Sequence, residues 1–456
     1  MSVHLVALLV FVALFVLGTA RPINMGALAL VGAVAMGGLV FHTDATAVIS
    51  HFPGDLFVVL VGVTFLFGIA RANGTVDWLV ASMIRVTGGR VSALPWVMFL
   101  LSTAITALGA VGPATVAILL PIGMRFAEIH RIRPLLIGLM VSLGTTAGCF
   151  SPLGVFGVIV NGVLARNQLV TNPSFLFAAT FVAGFTAALG SYLTMRPQRI
   201  NEPSHGPHAS SGEGRGTGGD VDTDTPKGFD ASRINVRGGQ TATVHAPPHT
   251  STKTAQNRLT LQQGSTLAGF AALAVGALAF GLDVGFTSLA VAVALALIFT
   301  DSGAAGLKGI SWETVLLIGG VITYVGVLED GGTISWLGSE VSTIGSPLFA
   351  ALFVCFIAAA VSAFASTTGM LGALIPLAIP LLATGEVGTV ALVTAIAISS
   401  SLVDTSPFST NGALAIANAP TSERSHVYRG LLRFGIAMIF TAPLTAWAIL
   451  IAPGWL

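Results

Sequence analysis

Two stretches of this chain, 258 residues apart, repeat one pattern. FVVLVGVTFLFGIARANGTVDWL (57–79) aligns with VLLIGGVITYVGVLEDGGTISWL (315–337). Gly62, Gly68, Gly74, Thr75, Trp78 and Leu79 fall on Gly320, Gly326, Gly332, Thr333, Trp336 and Leu337. Further along the offset becomes 255, so that Pro121 meets Pro376, Ser151-Pro152 meets Ser406-Pro407, and Gly157 meets Gly412. Near the starts of the two copies, INMG (23–26) meets LDVG (282–285). The chain is a duplication, and whatever one half folds into the other must fold into as well.

Each copy is made of apolar runs. Hydrophobic residues are 54% of the chain and charged residues 9%, against roughly 25% charged in soluble domains. Runs of about 17–20 apolar residues recur, each long enough to span a bilayer. Only helices and closed barrels satisfy their backbone in lipid, and runs of this length predict an all-α polytopic membrane protein. A net charge of +1 gives no reason to expect a nucleic-acid partner. Cys149 and Cys355 lie in apolar runs with neither CxxC nor metal-ligand spacing. The first 20 residues lack the basic start of a signal peptide, and the duplication needs them as a helix.

Crossings are expected at 3–19, 24–41, 53–70, 134–164, 174–195, 264–281, 284–300, 312–328, 387–418 and 430–452, two of them (134–164 and 387–418) broken. The stretches 93–127 and 347–384 are long enough for two legs each and read as re-entrant hairpins. The pieces 76–86 and 334–344 are too polar to span and should lie at the interface, anchored by Trp78 and Trp336. Residues 196–263, rich in Gly, Ser, Thr, Pro and charge, read as a disordered linker between a first repeat (1–195) and a second (264–456). Five crossings per repeat make the second the inverse of the first. With the N-terminus outside, 19 of the 20 Lys and Arg fall on the cytoplasmic side, linker included, and only Arg166 lies outside.

The chemistry should sit where the helices break. From Ser399 to Asn411, nine polar residues crowd around Pro407, among them Asp404, Thr405, Ser406, Ser409 and Thr410. Proline removes a backbone donor and clashes with the turn before it, and broken helices at the membrane midplane are how secondary carriers build ion and substrate sites. Four segments should meet there: the tips at Val111-Gly112-Pro113 and Ser366-Thr367-Thr368, and the breaks at Thr145–Gly157 and Ser399–Pro420. No Lys or Arg falls inside them, so an anion would rest on hydroxyls and helix N-termini. Asp404 is the acidic residue inside a break. It suits Na⁺ or a proton, or else it caps the half-helix that follows.

These residues resemble a known family. The helix–hairpin–broken-helix duplication is similar to the ion-transporter superfamily, in particular the divalent anion:sodium symporters, whose tips carry Ser-Asn-Thr with a proline ten positions after the Ser. Ser366-Thr367-Thr368 with Pro376 sits in that frame with Thr in place of Asn, whereas the first tip, with Gly112 and Pro113, lacks the hydroxyls and amide. RPINMGALALVGAVAMGG (21–38) and LVDTSPFSTNGALAIANA (402–419) resemble the MatC-type malonate/dicarboxylate carriers. The resemblance implies a small anionic substrate touching Ser366, Thr367, Thr368, Ser406, Pro407, Ser409, Thr410 and Asn411. Ser151, Pro152, Leu153 and Gly154 would face them from the other half, beside Gly112 and Pro113. Asp404 and Thr405 would serve the coupling ion, Na⁺ or H⁺, and no cofactor is implied. It further implies a homodimer in the inner membrane, with hairpins and broken helices moving against a scaffold. A cation/proton antiporter or inorganic-anion carrier of the same superfold is the alternative. An enzyme is not expected, since HExxH, GxSxG and P-loop motifs are missing.

Overall fold

The computed structural model describes residues 2–21, 23–86, 91–195, 259–342, 346–364, 367–382 and 387–454. In the first half, α1 (Val3–Ala20), α2 (Met25–Leu39), the short α3 (Ala45–Ser50) and α4 (Gly54–Ala72) come first. They are followed by α5 (Thr75–Val86), α6 (Leu94–Ala107), α7 (Gly112–Ile129), α8 (Pro134–Cys149), α9 (Val155–Arg166) and α10 (Pro173–Thr194). The second half runs α11 (Leu261–Ala279), α12 (Val284–Ile298), α13 (Thr300–Lys308), α14 (Trp312–Asp330) and α15 (Thr333–Ser342). It continues with α16 (Pro347–Phe364), α17 (Thr367–Leu377), α18 (Ile379–Leu382), α19 (Thr389–Val403), α20 (Thr410–Asn418) and α21 (Arg424–Ala446). No strand occurs among the described residues. The protein is all-α and polytopic: six of these helices are long and apolar enough to cross a bilayer alone, and several shorter apolar ones accompany them.

Paired residues of the duplication play the same local parts. Asn24 and Asp283 each accept a hydrogen bond from the backbone three residues on and so cap α2 and α12. Gly74 and Gly332 both take positive φ, 76° and 71°, at the turns into α5 and α15. Other paired glycines mark helix crossings. A Cβ on Gly26 would collide with the Leu316 carbonyl, and one on Gly320 with the Gly26 carbonyl, where α2 packs against α14. The other copy repeats this, with Gly285 against the Val59 backbone and Gly62 against Ser288 where α12 packs on α4. Small residues of this kind let membrane helices approach closely.

The halves therefore exchange partners. Each copy's second helix lies on the other copy's fourth. Each hairpin's second leg lies on the other copy's post-break helix, α7 on α20 and α17 on α9. Within each copy the first hairpin leg packs along the pre-break helix, α6 on α8 and α16 on α19. A second, smaller core forms where α1 and α2 meet α14, around the buried Tyr324, whose hydroxyl donates to the Ala7 carbonyl at 3.0 Å.

Several boundaries differ from expectation. The linker ends sooner than residue 263: Thr260 and Gln263 form a capping box that starts α11 at Leu261. Residues 196–258 of the expected linker lie outside the described residues. The last long helix starts at Arg424 rather than 430, and α3 and α13 were not anticipated, being too short for an apolar period to register. The first tip also moves: the turn is Leu108–Val111, with Gly109 at φ 102°, while Gly112 and Pro113 already open α7.

Candidate functional site

Both expected breaks are present, at 150–154 between α8 and α9 and at 404–409 between α19 and α20. Broken helix frees carbonyls that lipid cannot satisfy, and the same side chains address this in each copy. The hydroxyl of Ser151 donates to the Ala107 carbonyl at 2.6 Å, and that of Ser406 to the Ala363 carbonyl at 2.6 Å. One turn away, Thr106 donates to the Thr145 carbonyl at 3.0 Å and its counterpart Ser362 to the Ser400 carbonyl at 2.8 Å. The carbonyls of Ser151 and Ser406 in turn press on Gly157 and Gly412, where a Cβ would collide. Each break is thus latched to the first leg of its own hairpin.

The second break carries the acidic group. Asn411 donates its amide to Asp404 Oδ2 at 2.9 Å, and both residues are buried. The Oδ1 atom of Asn411 is buried with no hydrogen-bond partner. Asp404 does not cap the following half-helix. Ser409 does, accepting from the Gly412 backbone at 3.1 Å while its own hydroxyl donates to the Asp404 carbonyl at 2.6 Å. Thr405 is buried and donates to the Leu402 carbonyl at 3.0 Å.

In front of these segments lies a cavity of about 700 Å³. Val111 and Pro113 reach it from the first tip, Thr368 from the second hairpin, and Thr410 from the post-break helix α20. Its opposite wall comes from α4, α13 and α14, with Thr64, Gly68, Arg71, Lys308, Ser311, Glu313 and Thr314. A smaller cavity of about 250 Å³ adjoins it across Glu313, Leu317 and Thr410, bordered by Asn24 and by the stacked rings of Phe364 and Phe408, 5.3 Å apart. A larger groove of about 840 Å³ along α10 and α21 is almost wholly apolar and is lined by no charged side chain.

The expected site residues therefore separate into three groups. Pro113, Thr368 and Thr410 line the main cavity and Ser409 the smaller one. Ser406, Pro407, Asn411, Thr367, Gly112, Asp404 and Thr405 lie buried behind that surface, and Thr367 shares a hydrogen bond with Ser362 at 2.8 Å. Ser151, Pro152, Leu153 and Gly154 border neither cavity; the Ser151 hydroxyl is held by Ala107 and Gly154 packs on the Cys149 carbonyl. Ser366 lies outside the described residues. No Lys or Arg falls inside the tips and breaks, but the ends of α4 and α13 bring Arg71 and Lys308 to the cavity wall. Charges at helix ends read as topology signals in the sequence, and the packing of α13 on α4 was not legible there.

Both hairpins and the second post-break helix meet at one polar cavity, an arrangement that suits a membrane carrier. The comparisons agree. Residues 1–149 match the family model described as dicarboxylate carrier protein MatC N-terminus, and residues 270–455 match that described as citrate transporter. The likeness to MatC-type carriers within the ion-transporter superfamily, read from the residues, is thereby borne out. Among solved structures, the YdaH transporter of Alcanivorax borkumensis, described as having an unusual topology, matches with a TM-score of 0.55 at 13% identity, over 98% of this chain and 99% of that one. That match is one of fold. No curated protein matches the chain.

Proposed function

We propose that the chain is a secondary active carrier of small dicarboxylates, of the malonate or succinate class, coupled to Na⁺ or H⁺. One observation carries the reading. Both hairpins and the second post-break helix present Pro113, Thr368 and Thr410 to a single cavity of about 700 Å³, within the range of small-ligand sites. The hydroxyls of Thr368 and Thr410 sit in the first turns of α17 and α20, where helix N-termini favour a carboxylate. Behind them, the Asp404 carboxylate and the unpartnered Asn411 Oδ1 are two buried oxygens, a donor set that suits a hard cation or a proton.

On this reading the hairpins and broken helices (α6–α9 and α16–α20) move as a body against α4, α13, α14 and their neighbours, carrying the substrate across. The two copies lie inverted in the cytoplasmic membrane of a homodimer, with both termini outside and the 196–258 segment in the cytoplasm. Uptake of labelled malonate, succinate, citrate and sulfate into proteoliposomes, under imposed Na⁺ and pH gradients separately, tests it. The expected result is saturable dicarboxylate uptake raised by one of the two gradients. Cation exchange without organic-anion uptake, or uptake of sulfate alone, would move the protein to the antiporter or inorganic-anion reading.

A further inference from the structure

We propose that Arg71 and Lys308 are the anion-recognising pair of this carrier, one for each carboxylate of a dianion. The proposal rests on reading the cavity as the substrate site. The two cations come from opposite copies of the duplication. Arg71 stands in the last turn of α4 and Lys308 in the last turn of α13. They reach one wall because these helices cross closely: a Cβ on Gly68 would stand 2.6 Å from the Gly306 carbonyl, three residues before Arg71 and two before Lys308. Both then line the cavity that Thr368 and Thr410 face from the hairpin and the post-break helix.

Neither forms an ion pair with a described residue. The ion pairs His51–Asp330 and Arg166–Asp55 involve neither of them. Asp77 on α5 feels Arg71, whose charge counters part of the upward push that burial gives the Asp77 carboxyl, yet the two form no ion pair. Glu313 is the single carboxylate bordering the cavity among the described residues, so its ionisable wall carries two cations against one anion. The duplication does not dictate this, because the counterpart of Arg71 is Glu329.

Cations at helix C-termini also offset the helix dipole and set topology, and that explanation predicts something different. A purely structural pair would change stability or insertion and leave substrate affinity alone. A recognising pair would change affinity for two-carboxylate substrates. Charge-assisted hydrogen bonds are strong enough that losing one weakens binding about tenfold or more.

The test uses the full chain in proteoliposomes, normalised to inserted protein, with Arg71→Gln and Lys308→Gln. Each should raise the KM for succinate at least about tenfold, leave kcat within about twofold, and shrink the succinate-induced rise in melting temperature at a fixed succinate concentration. Lys308→Arg, which keeps the charge, should raise KM less than Lys308→Gln does. Arg429→Gln, on α21 away from the cavity, should change neither. Wild-type succinate uptake combined with an unchanged KM in both Gln variants overturns the assignment and leaves the carrier reading standing. If Arg71→Gln fails to insert, the contrast between Lys308→Gln and Lys308→Arg decides alone: equal KM values in the two overturn the assignment. A wild-type chain that neither binds nor moves any dicarboxylate overturns the function reading itself.

Discussion

Ser151 and Ser406 are bonded alike: each hydroxyl donates at 2.6 Å to a carbonyl at the end of its hairpin's first leg, Ala107 or Ala363. They stand 255 positions apart in the sequence and occupy corresponding places in the two copies. The hydroxyl protons are already committed, so these serines shape the breaks.

Removing the latch should therefore be felt first as lost stability. Ser406→Ala leaves the Ala363 carbonyl without its donor, and interhelical hydrogen bonds inside membranes contribute roughly 0.6–1.7 kcal/mol. The melting temperature of the purified variant should fall measurably, and Ser151→Ala should fall by a similar amount. A melting temperature unchanged in both would show that the latch does not hold the break.

The paired glycines give a sharper expectation. Gly26→Ala and Gly320→Ala place a methyl against backbone carbonyls at the crossing of α2 and α14, where backbone, unlike a flexible side chain, cannot move aside. Both variants should give little monodisperse protein on size exclusion in detergent. Gly190→Ala, with nothing within 4 Å of its added carbon, should behave as wild type. Normal yields of all three would mean that the helices do not cross so tightly.

The glycine pairs, the Ser-Pro breaks and the order of helices were legible because a duplication prints each structural constraint twice. The latches were not, since a serine beside a proline has the same look whether it faces a ligand or a carbonyl 43 residues away. Nor was the cavity's far wall. Arg71 and Lys308 end helices of opposite copies, and only the Gly68–Gly306 crossing brings them together. The Thr260–Gln263 capping box was in plain view, but it was absorbed into the polar composition of the linker.

Asp404 should separate coupling from binding. Its carboxylate accepts from Asn411 at 2.9 Å behind the cavity surface and does not line it. Asp404→Asn keeps the shape and removes the charge. It should preserve substrate exchange between preloaded vesicles and external label, while uptake against a gradient loses its dependence on Na⁺ or pH. Gradient-driven uptake with wild-type ion dependence would remove Asp404 from the coupling site.

On the proposed reading, substrate sits between the hairpin tips and the α4–α13 wall, in contact with Thr410. Substrate protection of a cysteine placed there addresses it most directly. Cys149 and Cys355 are fully buried, so Thr410→Cys should be the thiol that a water-soluble maleimide reaches. A transported dicarboxylate should slow that labelling in proportion to occupancy, with half-protection near its KM. Labelling at the same rate with saturating substrate as without it would contradict the account.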